Sequence, residues 1–66
     1  MTTYRDIKQF EKQNPGKTII LKLRSGKEVL YDPQFNGRGK IGFRYSERSK
    51  ERFFVPPEII EEYKIK

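Results

Sequence analysis

The sequence predicts a mainly β fold with short helices: two β-hairpins curled into a small barrel, preceded by an N-terminal helix and followed by a short C-terminal helical turn. Three observations predict it. Apolar and polar residues alternate in 19–31 and again in 41–55, each time around a turn rich in Gly, Ser or charge. The segment before Pro15 instead spaces its apolar residues as a helix does. Finally, 66 residues make one domain at most, and with no Cys and no His its core must come from Ile, Leu, Val, Phe and Tyr alone.

The helix is expected over 1–15. Thr3 stands where a cap should, with Asp6 three residues on, and Tyr4, Ile7 and Phe10 form one narrow apolar stripe before Asn14, Pro15 and Gly16 end the element. The sheet is expected over 17–55. In its first hairpin Ile19, Leu21 and Leu23 alternate with Ile20, Lys22 and Arg24, and Val29 and Tyr31 resume the pattern after the turn. A loop of Arg24, Ser25 and Gly26, with Gly in the left-handed position, sets Leu21 opposite Val29 and Ile19 opposite Tyr31. Pro33 ends ladder pairing, and DPQFNGRG reads as a loop. In the second hairpin Ile41, Phe43 and Tyr45 are expected to face inward, and Lys40, Gly42 and Arg44 outward. The returning strand sends Phe53 and Val55 in, and Arg52 and Phe54 out. The terminal helical turn is expected over 56–66, with Pro57 as a first helical residue and Ile59, Ile60 and Tyr63 covering the core. The most economical closure of these parts is a small barrel of SH3-like or OB-like kind. The alternative is an α+β arrangement in which one helix packs on an open antiparallel sheet.

Charge is the most informative bulk property. Fifteen Lys and Arg stand against nine Asp and Glu, a net of +6. Residues 17–52 hold ten of the cations and four of the anions, so the excess sits in the middle of the chain. That distribution is the footprint of a protein that meets polyanions. No apolar run is long enough for a membrane span and no charged-then-apolar leader opens the chain, so a cytoplasmic protein without membrane contact is expected.

The same composition narrows the chemistry. Without His or Cys there is no imidazole base, thiolate nucleophile or ordinary zinc site, and the carboxylates are scattered among cations rather than paired across a cleft. The expectation is a protein that is not an enzyme and takes no cofactor or metal. NGRGK leaves backbone N–H groups beside Arg38 and Lys40, as a phosphate-cradling turn would, although without the spacing of a P-loop. A flexible hairpin connection is the simpler reading.

Two stretches carry a family resemblance. TIILKLRSGKEVLY followed by KIGFRYSERSKERFFVPPEII resembles the Sm/Hfq-like family in strand spacing and in the KLRSGKE turn. SGKEVLYDPQF with GRGKIGFRY and ERFFVPPE is also similar to the SH3-like chromatin proteins of crenarchaea. Together they cover about two-thirds of the chain. The resemblance implies a nucleic-acid-binding barrel, although the Trp wedge typical of the chromatin proteins has no counterpart here.

These lines converge on one surface. With the apolar residues inward, Lys22, Arg24, Arg38, Lys40, Arg44 and Arg52 are expected to share a basic face for phosphates, with Phe54 exposed among them and Gly42 a flat spot where a ligand can approach. The expected partner is nucleic acid, duplex DNA ahead of RNA, bound without sequence specificity. The alternative is a small interaction module, of the kind a virus or plasmid encodes, that docks on an acidic host protein and inhibits it.

Overall fold

The computed structural model describes residues 1–35 and 37–66, so Asn36 of the expected loop lies outside the described residues. Helix α1 (Tyr4–Gln13) begins where the capping pattern places it. The Asp6 N–H donates to the Thr3 hydroxyl at 3.1 Å, and the Thr3 N–H donates to the Asp6 carboxylate at 2.9 Å. Two otherwise orphaned donors are thus satisfied reciprocally. At the other end the Asn14 side-chain amide donates to the Phe10 carbonyl at 2.8 Å, and Gly16 turns the chain with φ of 75°.

Five antiparallel strands follow: β1 (Ile19–Leu23), β2 (Glu28–Tyr31), β3 (Ile41–Arg44), β4 (Phe53–Val55) and β5 (Ile60–Ile65), ordered β4-β3-β2-β1-β5 in one sheet. The first hairpin keeps the expected register, Leu21 against Val29. Its loop is closed by the Leu23 N–H donating to the Lys27 carbonyl at 2.9 Å, with Gly26 at φ 91°. A side chain would be strained there, which is why Gly follows Ser25.

One face of the sheet and the apolar stripe of α1 make the core. Ile7, Ile19, Leu21, Val29, Tyr31, Ile41, Phe43, Val55 and Ile60 are buried in it. Tyr4, Phe10, Phe53, Ile59, Tyr63 and Ile65 pack around them. The Tyr31 hydroxyl reaches the rim and donates to the Glu11 carboxylate at 2.8 Å, while Phe10 meets Tyr63 edge-on at 4.9 Å. Helix and sheet are therefore stapled by polar tips as well as apolar bodies.

Two expectations are corrected. The terminal helical turn over 56–66 shrinks to a 3₁₀ turn, Pro57–Ile59, and residues 60–65 form β5, paired with β1 from Ile19 opposite Ile65 to Leu23 opposite Ile60. The adjacent Ile59 and Ile60 and the run of Glu read as a helix. The alternation Glu62-Tyr63-Lys64-Ile65, laid against the vacant edge of β1, decides otherwise. The barrel is also not closed: β4 and β5 are the two edges of the sheet. Pro56 and Pro57 separate them, lack N–H donors, and turn the chain away from β4 toward β1. The fold is thus a helix on an open, mainly β sheet. No helix among the described residues is long and apolar enough to cross a membrane.

Candidate nucleic-acid interface

The outer face of the sheet, opposite α1, is where the sequence placed its basic surface. Phe54 points there from the edge strand β4 and is 49% exposed. Its cross-strand neighbour is Gly42 of β3. Gly42 is not a landing place for a ligand, as the sequence suggested, because it is buried beneath a residue of its own chain. A 3₁₀ turn, Pro33–Phe35, folds back on β3, and a Cβ at Gly42 would stand 2.8 Å from the Phe35 carbonyl carbon and oxygen. The turn is held by the Phe35 N–H donating to the Asp32 carbonyl at 3.1 Å and the Gln34 N–H donating to the Asp32 carboxylate at 3.2 Å. From this seat the Phe35 ring stacks on Phe54, centroids 4.6 Å apart and planes 14° from parallel. Phe54 is therefore exposed yet fixed in direction.

Beside this pair, Gly37 to Lys40 form a tight hairpin tip. The Lys40 N–H donates to the Gly37 carbonyl at 2.9 Å, and Arg38 and Gly39 have φ of 49° and 79°. Positive φ at both central positions is the geometry of a two-residue hairpin loop, which favours Asn-Gly or Gly-Gly. Among the described residues Arg38 alone is a non-glycine with positive φ. The N–H groups of Gly37 and Lys40 are spent inside the turn. What it offers is a side-chain rim. Gly37, Arg38, Lys40 and Phe54 border a shallow recess with a largely apolar wall.

The remaining expected site residues do not join this group. Lys22 lies on the outer face of β1 with its ammonium 3.6 Å from Glu62, beside a second pair of Lys64 and Glu28 at 3.6 Å. Arg52 forms an ion pair with Asp32 and also donates to the Ser49 carbonyl at 3.0 Å and the Lys50 carbonyl at 2.9 Å. It is a brace for the β3–β4 loop. Arg24 is exposed in the β1–β2 turn, at the opposite end of the strands from the Gly37–Lys40 tip, its backbone N–H held by the Ile59 carbonyl at 2.8 Å. Arg44, opposite Leu30, is half-buried, and its Nε has no hydrogen-bond partner among the described residues. Its charge falls on Glu47 instead. The Glu47 carboxyl is held below the usual glutamate range chiefly by the hydrogen bond and charge of Lys66 at 2.9 Å, with Arg44 a lesser cause. The single basic face thus resolves into a charge-paired centre and two ends, of which one carries Phe54, Arg38 and Lys40.

Tyr45 packs on the inward-facing Phe43, 5.5 Å away and edge-on, as the alternation predicts, but at the end of the sheet it is not buried. It is 48% exposed at the Arg24 end, 5.1 Å from Phe53, with the Lys27 ammonium 4.7 Å above its ring. Sequence reasoning also missed Phe35, hidden in a stretch that reads as loop. The one available signal was Gly42 in mid-strand, which marks close approach by another backbone without naming it. No family model, curated protein or solved structure matches this chain.

Proposed function

We propose that this chain is a non-enzymatic nucleic-acid-binding protein that meets its ligand at the end of the sheet where Phe54, Arg38 and Lys40 converge. The observation that carries the reading is an exposed ring, locked by Phe35, next to two cations that have no ion-pair partner among the described residues. Aromatic faces stack on bases and Arg or Lys neutralises the adjoining phosphates, so the two features are complementary halves of one ligand. The rest of the sheet face contributes less, since Lys22, Lys64 and Arg52 already face carboxylates and Arg44 is half-buried. Docking on an acidic protein needs a broad unbalanced surface, which this pairing removes.

The test is a salt titration of binding to labelled nucleic acid. Affinity should fall with salt, and Lys40→Ala should flatten the log–log slope by roughly 0.7 to 0.9. Lys22→Ala and Arg52→Ala should leave the slope unaltered, because each removes a cation already matched by Glu62 or Asp32. Indifference to salt, or no binding in dilute buffer, would end this proposal.

A further inference from the structure

Which form of nucleic acid fits the Phe54 end is decided by two features together, the size of the recess and the sign of its surroundings. Among the described residues four border the recess, one of them Gly37, which has no side chain to fill it. A Cβ built there would touch the Cε1 and Cζ atoms of Phe54 at 3.9 Å, so a larger side chain at this position would cover that flank of the ring. Phe35 occupies another flank in a near-parallel stack. The Phe54 ring, 49% exposed on an edge strand, is open to a flat ligand from the solvent side.

Charge argues against a duplex in the same place. A double helix presents two rows of phosphates and is held by cations spread over a wide surface. Here Arg52 beside Phe54 is paired with Asp32, and farther across the same face, on β2, β1 and β5, Lys22 is paired with Glu62 and Lys64 with Glu28. A long rod of phosphates laid across it would meet a carboxylate beside each of these three cations. Moreover, a paired base hides its faces in the stack, whereas an unpaired one can offer a face to an aromatic side chain.

We infer that this end of the protein takes one unpaired base of a single strand, stacked on Phe54 beside Gly37, with the adjoining phosphate held by Arg38 and Lys40. The inference rests on the nucleic-acid reading above and replaces the duplex expected from sequence with a single strand. Phe35 acts as a positioning residue, since it fixes the ring on which the base lies. The apolar wall and the two cations at its rim match a base and its phosphate.

Fluorescence anisotropy with three probes tests it: an oligothymidine strand of about ten nucleotides, a strand of equal length made of abasic sites, and a blunt hairpin duplex. The oligothymidine should bind about ten-fold or more tighter than the abasic strand, the range expected for one stacked base. Phe54→Ala should abolish that difference, Phe54→Tyr should keep it, and Gly37→Val should abolish it by filling the recess while both cations remain. Circular dichroism checks that each variant is folded, which half-exposed Phe54 and the surface tip make a fair test. If the abasic strand or the duplex binds as well as oligothymidine, or Phe54→Ala keeps the preference, base stacking is refuted while polyanion binding stands. If no probe binds even at low salt, the nucleic-acid reading fails and this inference with it.

Discussion

Replacing Gly42 by Ala should unseat the 3₁₀ turn from β3, and the size of the effect follows from three distances. The new Cβ would lie 2.8 Å from the carbonyl carbon and oxygen of Phe35 and 2.9 Å from its Cβ. Comfortable carbon contacts begin near 3.5 Å, so the turn or the strand must give by about 0.7 Å. Neither retreats freely. Two N–H groups tie the turn to Asp32, the Asp32 N–H donates to the Gly42 carbonyl at 2.9 Å, and the Phe35 ring is seated on Phe54. Overpacking of this kind costs about 1–3 kcal/mol, and loss of Gly flexibility in the unfolded chain returns roughly 0.4–1 kcal/mol. A net loss of about 1–2 kcal/mol remains, which in a domain this small lowers Tm by about 4–16 °C. Thermal unfolding followed by circular dichroism reads this directly. Gly37→Ala is the matched control: its Cβ would meet Phe54 at an ordinary 3.9 Å, and its Tm should stay within a few degrees of wild type. Equal melting temperatures for the two variants would show that Phe35 does not rest on Gly42, and would take with it the account of how Phe54 is held.

Two further outcomes follow from the same geometry. Arg38→Asn should raise stability by up to about 1 kcal/mol, because Asn tolerates the left-handed conformation that Arg38 holds at φ 49°, while nucleic-acid affinity falls; urea unfolding and anisotropy on one preparation would show whether stability and binding move in opposite directions. Glu47 should titrate below the ordinary 4.5 in the folded protein, and Lys66→Ala should bring it back toward that value in an NMR titration. Since the folded carboxyl is the stronger acid, the stabilisation from its pairing is present above the unfolded value and is lost as pH falls through the folded one.

The elements whose signals are local were legible from sequence. The capping box of Thr3 and Asp6 needs only neighbours in the chain, and so does the Ser25-Gly26 turn, which by fixing the loop also fixed Leu21 against Val29. What the sequence could not show depends on partners far along the chain. Residues 60–65 become a strand because the edge of β1 is vacant, a fact with no trace in their own composition. Lys22 and Arg52 look free until Glu62 and Asp32 are brought beside them by the sheet order. The exposure of Phe54 was correctly expected from alternation, yet its fixed orientation comes from Phe35, 19 positions earlier. Counting positive residues overestimates a binding surface wherever strand pairing interleaves opposite signs.

The position of β1 has a kinetic consequence. Among the described residues no other strand has two ladders that differ so widely in chain separation: the partner on one side lies just across a tight turn, and on the other Ile19 meets Ile65. Closing the second ladder carries the larger loop-closure entropy, whereas the first is a local hairpin that forms in about 1–10 microseconds. Hydrogen exchange should therefore find the deepest protection along β1, and the earliest exchange at three-residue β4. The strand that presents the ring to solvent would then be the first to fray, so occupancy by a ligand would steady the part of the sheet that needs it most.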